Sequence, residues 1–258
     1  MNELFSLREK VAVITGASSG LGADAAKAYA LSGAKVALLA RRKEKLDDLA
    51  NELINSGVDA IAVQCDVSNE KSVKEAIETV VKHYGKIDIL LNNAGVATKG
   101  SVEELSVEDW DKTMNANVKG IYLMSKYTVP HMKKNNYGKI INISSVNAVI
   151  ADKTPVLARH SYNASKAAVK GLTIGMAASY MQNNITVNAI GPALFESEMT
   201  SSTLFTNEKF MNMYTALNPA SRAAKKGELN GTIIYLSSDA SSYVTGQYIL
   251  VDGGMAII

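Results

Sequence analysis

Seven short apolar runs, alternating with amphipathic stretches of helical period, constrain the fold of this chain more than any other feature. The runs are VAVIT (11–15), KVALLA (35–40), AIAVQC (60–65), IDILLNN (87–93), GKIINISS (138–145), NITVNAI (184–190) and YILVD (248–252). They are apolar at successive positions, the pattern of strands covered on both faces. The clear helical patterns occupy 21–32, 43–56, 70–84, 106–134 and 161–182. Alternating strand and helix predicts βαβ units, and right-handed crossovers turn these into a doubly wound α/β fold on a seven-stranded parallel sheet with helices on both faces. Ser68 is the predicted N-cap of the helix from 70, and Ser106 with Asp109 reads as a capping box. There is no internal repeat or Pro/Gly-rich linker, and only four prolines in 258 residues. The chain is therefore read as a single domain, 1–258. Its least regular stretch, 193–225, is predicted to cover a ligand.

Charge excludes several classes of partner. Lys plus Arg is 27 against 25 for Asp plus Glu, a net charge of +2, so neither nucleic acid nor an anionic membrane is expected as a partner. The single cysteine, Cys65, forms no internal disulfide, and the histidines at 83, 131 and 160 lack metal-ligand spacing, so no metal is expected. The segment Gly171–Phe195 carries no charge, but Gln182, Asn183, Asn184, Asn188 and Pro192 argue against a membrane span. The opening MNELFSLREK lacks the apolar core of a secretory signal, and a cytoplasmic protein is expected.

The turn after the first strand reads Thr15-Gly16-Ala17-Ser18-Ser19-Gly20-Leu21-Gly22. Free backbone N–H groups at a helix start form a cradle for pyrophosphate, and glycine lets the ligand approach. The spacing G-x-x-x-G-x-G is neither the G-x-G-x-x-G fingerprint nor a lysine-containing phosphate loop, and a plain Gly/Ser-rich turn would look the same. The second strand ends at Arg41-Arg42, where an NAD site wants a carboxylate for the ribose 2′-hydroxyl. Arginine there matches a 2′-phosphate, so NADP(H) is predicted over NAD(H); the alternative is a solvated basic helix start.

Taken in order, TGASSGLG (15–22), CDV (65–67), NNAG (92–95), NVKG (117–120), NISS (142–145), YNASK (162–166), GP (191–192) and VTGQYILVDGG (244–254) make the chain resemble the short-chain dehydrogenase/reductase family over essentially its full length. The resemblance implies a Rossmann-like NAD(P) domain. It implies that Asp66 and Val67 contact the adenine, that Asn93, Ala94 and Gly95 line the cofactor cleft, and that Pro192 and Ser197 lie beside the nicotinamide. It assigns Asn117, Ser145, Tyr162 and Lys166 to a catalytic tetrad, with the Asn117 backbone carbonyl holding a relay water. It also implies a homodimer or homotetramer paired through the helices at 106–134 and 161–182 and through the last strand.

Residue chemistry supports the assignment. Tyr162 and Lys166 are four apart in a helical stretch and share a face. A free phenol titrates near ~10, so a base at neutral pH needs about three pH units, on the order of 4 kcal/mol, which an ammonium and a cationic nicotinamide could supply. In reduction Tyr162 protonates the developing alkoxide; in oxidation it takes the hydroxyl proton. Ser145, at a strand end, would hydrogen-bond the substrate oxygen. Without the other motifs, Tyr162 and Lys166 would read as an ordinary amphipathic pair and the two serines as a polar strand end.

The sequence also departs from the family pattern. Ser145 and Tyr162 are 17 apart, and the longer loop near 150–160 carries Lys153, Arg159 and His160, which fit either an acidic substrate or a solvated surface. Pro192-Ala193 replaces the usual Pro-Gly, and Ser197 replaces a common threonine. Met199, Phe205, Phe210, Met211 and Met213 read as an apolar cover or as helix core. Within the family the chain resembles gluconate 5-dehydrogenase-type and 3-oxoacyl-carrier-protein reductase-type members. The expected activity is NADP(H)-dependent interconversion of a small-molecule secondary alcohol and ketone, first of all a polyol or sugar acid such as gluconate and 5-ketogluconate. The alternatives are acyl-thioester reduction, hydroxysteroid oxidoreduction and a silent cofactor-binding regulator. An epimerase or lyase is disfavoured because only four residues follow Gly253-Gly254.

Overall fold

The computed structural model describes residues 3–153, 157–197 and 200–258. Seven parallel strands form one sheet: β1 Val11–Thr15, β2 Lys35–Ala40, β3 Ala60–Gln64, β4 Ile89–Asn92, β5 Gly138–Ile143, β6 Ile185–Pro192 and β7 Tyr248–Val251. Their order is β3-β2-β1-β4-β5-β6-β7. The direction of winding reverses between β1 and β4, where an open α/β sheet leaves a crevice at its carboxyl edge. The helices are α1 Gly20–Leu31, α2 Lys43–Asn55, α3 Glu70–Tyr84, α4 Val107–Met114, α5 Gly120–Lys134, α6 His160–Tyr180, α7 Glu208–Leu217 and α8 Asn230–Ser237.

Two apolar layers clamp the sheet. Ala12, Ile14, Val36 and Leu38 face Ala25, Tyr29, Leu46, Ile233 and Leu236. Their strand neighbours Val11, Val13, Ala37 and Leu39 face Val73, Ile77, Leu123, Met124 and Met176 on the other side. Both sets of strand side chains are therefore buried, which is why the strands read as continuous apolar runs. None of the helices formed by described residues is long and apolar enough to cross a membrane.

Three local features differ from the sequence reading. The cap of α3 is Asn69, whose side chain accepts from Ser72 N; the Ser68 hydroxyl instead donates to Asp66 Oδ1 at 2.7 Å. The stretch 106–134 is helical throughout but not uniformly α: Ser106 caps α4, accepting from Asp109 N, and a π turn at Asn115–Lys119 joins α4 to α5. Asn is a weak helix former, and Asn117 spends its side chain on another segment. The region 193–225 contains the Phe195–Ala224 bridge, a π turn at Ser201–Phe205 and α7, capped by Asn207.

Candidate active site

At the carboxyl edge of the sheet lies a cleft of about 470 Å³. It runs from the β1–α1 turn across the ends of β2, β4 and β5 to α6 and the segment after β6. Gly16, Ser18, Ser19, Gly20, Leu21, Arg41, Arg42, Asp66, Val67, Asn93, Ala94, Gly95, Ser145, Tyr162, Lys166, Pro192 and Ser197 all line it. Of the residues assigned to catalysis or cofactor binding, Gly22 and Asn117 stand behind its wall, and Lys153, Arg159 and His160 of the 150–160 loop do not line it.

The glycine turn is fixed by space as well as conformation. Gly16 and Gly20 have positive φ, 68° and 53°. A Cβ on Gly22 would lie 2.3 Å from the Gly16 carbonyl oxygen and 2.5 Å from Asn93 Nδ2. Only glycine lets α1 start this close to β1 and β4. Thr15 joins the two strand ends: its hydroxyl accepts from Asn93 N at 2.9 Å and Ala94 N at 3.0 Å. Asn93 Nδ2 returns a bond to the Thr15 carbonyl at 3.0 Å.

At the other side of the turn, Arg42 Nη2 donates to Ser18 Oγ and Ser19 Oγ, both at 3.0 Å. The guanidinium thus lies across the mouth of the turn, with no carboxylate among the cleft residues at the end of β2. A helix N-terminus, positive-φ glycines and a guanidinium together fit an anionic dinucleotide. Across the cleft, a Cβ on Gly20 would come within 3.0 Å of Ser197 Cβ, so the segment after β6 rests against the glycine turn.

The opposite end holds the titratable groups. Ser145 follows β5 and its hydroxyl accepts from Asn147 N at 3.2 Å. Tyr162 and Lys166 lie on α6. Burial pushes the Tyr162 phenol up, while the Ser145 hydroxyl and then the Arg159 charge oppose that rise. Burial also lowers the Lys166 ammonium to about 8. Its Nζ donates to the Ile143 carbonyl at 2.9 Å and lies 5.5 Å from the Tyr162 ring centre. The sequence reading has the Lys166 ammonium lower Tyr162 together with a cationic nicotinamide; in the structure that ammonium lies beside the Tyr162 ring and also anchors to the end of β5.

Asn117 is fully buried in the π turn. Its Oδ1 accepts from Val96 N at 2.8 Å; its Nδ2 donates to the Val96 carbonyl at 2.9 Å and to Ser165 Oγ at 2.9 Å. It therefore ties the segment after β4, which carries Asn93–Gly95, to α6. In the 150–160 loop, Lys153 is exposed, and His160 Nδ1 accepts from Val102 N at 3.0 Å, which makes it a structural acceptor. Thr154, Pro155 and Val156 lie outside the described residues, as does Met199. Phe205, Phe210, Met211 and Met213 do not line the cleft, whereas Phe195 and Thr200 do. Lys112, Asn115 and Ser144 also line it without having been singled out. Lys112 and Asn115 sit in a helical pattern that gave no sign of facing a ligand.

A family model described as enoyl-(acyl carrier protein) reductase matches residues 16–256. The chain is 38% identical over 255 residues to gluconate 5-dehydrogenase of Gluconobacter oxydans, covering 99% of this chain and 98% of that protein. It is 38% identical over 253 residues to a 3-oxoacyl-[acyl-carrier-protein] reductase of Thermotoga maritima, covering 97% and 99%. The crystal structure of a gluconate 5-dehydrogenase from Burkholderia cenocepacia, in complex with NADP and tartrate, superposes with a TM-score of 0.94 at 34% identity, covering 99% of this chain and 98% of that one.

Proposed function

The chain belongs to the short-chain dehydrogenase/reductase family and is an NAD(P)-dependent alcohol dehydrogenase/ketone reductase, and from that premise we propose that it uses NADP(H) on a sugar acid of the gluconate/5-ketogluconate kind. The observation that carries this reading is the cleft itself, which holds Ser145, Tyr162 and Lys166 at one end and the glycine turn with Arg42 at the other.

Gly16, Ser18, Ser19, Gly20 and Leu21 hold the pyrophosphate, Arg42 with Arg41 meets the 2′-phosphate, Asp66 and Val67 flank the adenine, and Asn93–Gly95, Pro192 and Ser197 border the nicotinamide. The bound nicotinamide supplies hydride chemistry at the carbinol carbon. Ser145 donates a hydrogen bond to the substrate oxygen, and Tyr162 gives its proton to that oxygen in reduction or takes one in oxidation. Lys166 fixes the end of β5 and orders the ribose side, and Asn117 holds the wall behind. The segment 193–225 covers the substrate. NADP(H) is favoured by the arginine at the end of β2 and by the NADP in the Burkholderia complex.

The acidic substrate is favoured by the gluconate relatives and by Arg159, which immediately precedes the helix that carries Tyr162. The Thermotoga relative favours a second reading, 3-oxoacyl thioester reduction. We infer self-association through α4–α5, α6 and the last strand, a reading supported by the exposed Val107, Trp110, Tyr122 and Ile174 on those helices.

The test is the initial rate of NADPH oxidation against 5-ketogluconate, other keto-sugars, an acetoacetyl thioester and ketosteroids, with NADH in parallel and Tyr162→Phe as control. Turnover of 5-ketogluconate with NADPH preferred, abolished in Tyr162→Phe, is expected. Turnover of the thioester alone selects the second reading, and tight NADPH binding without any turnover marks a silent regulator.

A further inference from the structure

A tyrosine on the last strand reaches the catalytic end of the sheet without lining the cleft. Tyr248 pairs in register with Ala189 of β6, and its ring runs along that strand. At Gly191 a Cβ would lie 2.7 Å from the Tyr248 hydroxyl oxygen and 3.0 Å from Cε1. Gly191 therefore leaves the space the ring fills; glycine inside a strand marks such a close approach. The hydroxyl emerges beyond β6 at the end of β5. There it donates to the Ser145 carbonyl and lies 3.2 Å from Ser144 Oγ. The Ser144 hydroxyl donates its own proton to the Lys166 carbonyl at 2.8 Å, so its lone pairs are what it offers Tyr248. The Ser145 carbonyl has one further donor, Ala148 N at 3.0 Å.

We propose that Tyr248 is a positioning residue that pins the Ser145 peptide from the last strand, so that the Ser145 hydroxyl keeps its place in the cleft it shares with Tyr162. This rests on the reading of Ser145 and Tyr162 as the substrate-binding and proton-transferring pair. Ser145 follows the strand and has left the sheet ladder, so its backbone is held by the contacts just described. A carbonyl fixed from both sides leaves the Cβ one direction. Misplacing a catalytic group by about 1 Å costs up to about 100-fold in rate.

The variant is Tyr248→Phe, which keeps the ring over Gly191 and removes only the hydroxyl. The expected result is a kcat about tenfold lower with the NADPH Kd unchanged, and no added loss when the change is made in a Ser145→Ala background. A fall in kcat that adds fully to that of Ser145→Ala, or no fall at all, overturns the proposal.

A second readout needs no turnover. The groups acting on Tyr162 are the Ser145 hydroxyl, the Arg159 charge and Tyr248, with Lys166 beside its ring. The Ser145 bond lowers the phenol more than Tyr248 raises it. If Tyr248→Phe releases Ser145, Tyr162 titrates at higher pH; if Ser145 stays in place, the loss of Tyr248 alone moves it lower. Near-ultraviolet phenolate absorbance of Tyr248→Phe, with Tyr248→Phe/Tyr162→Phe as the blank and the wild-type pair as reference, reads that sign. An upward shift supports the proposal, and a downward or absent shift overturns it. A wild-type protein silent on every carbonyl defeats the functional reading, while the sign of this shift still decides the role of Tyr248.

Discussion

The Lys166 ammonium donates to the Ile143 carbonyl at 2.9 Å while lying 5.5 Å from the centre of the Tyr162 ring. One buried cation thus closes the end of β5 from the helix that carries the phenol. Its burial lowers it to about 8 from a usual 10.5. Between those values the unfolded chain binds the proton that the folded chain has released, so stability rises with pH there. The gain between about pH 8 and about pH 10 is on the order of 2 kcal/mol. Urea denaturation of the free protein at several pH values is expected to show this rise, and Lys166→Met is expected to flatten it. An equal slope in both proteins would remove Lys166 as its source.

Arg42 spans Ser18 and Ser19 at the mouth of the glycine turn. Arg42→Ala is expected to raise the KM for NADPH about 10- to 100-fold, the loss of a charged hydrogen bond, and to change that for NADH little. Equal effects on the two cofactors would place the 2′-phosphate elsewhere.

Gly22→Ala puts a methyl group 2.3 Å from a backbone oxygen. The helix start must back away from β1, at a cost of about 3 kcal/mol. Chemical denaturation should show that loss, accompanied by weaker NADPH binding in a fluorescence titration.

Arg159 immediately precedes α6 and is held in place by the Gly100–Arg159 bridge. Arg159→Ala is expected to raise the KM for 5-ketogluconate about tenfold. A neutral ketone should lose less. An unchanged KM for the acid would confine Arg159 to the loop.

Asn117→Ala removes the partner of both Val96 backbone groups. A loss of about 2 kcal/mol in denaturation is expected, because two polar groups lose their bonds together. A loss of activity with unchanged stability would give Asn117 a role beyond holding the wall.

The sheet and the glycine turn were legible because each strand carries its own burial signal and each turn its own glycine spacing. Val11–Thr15 and Lys35–Ala40 end where the apolar runs end. What the sequence did not reveal depends on contacts between distant segments. Nothing local distinguishes Ser68 from Asn69 as a cap; the choice depends on Asp66 taking the Ser68 hydroxyl. Asn117 sits inside a helical pattern as a weak helix former, yet its three bonds run to residues 21 and 48 positions away. Tyr248 looked like any strand aromatic, and the one sign of its reach was Gly191, a glycine near the end of β6.

The π turn at Asn115–Lys119 sets the phase of everything after it. Each residue of an α-helix advances the side-chain direction by about 100°. A wide turn holds one residue more than the α-helical turn it replaces, so α5 begins rotated relative to the direction α4 would have dictated. That rotation sets which side chains of α5 are buried, among them Ile121, Met124, Thr128 and Met132. Deleting a single residue here would restore an α-helical turn and swing those side chains round the helix. Insertions and deletions should therefore be excluded from this short segment while substitutions at its exposed positions are tolerated, a phase constraint that a library of single-residue deletions across 107–134 would map directly.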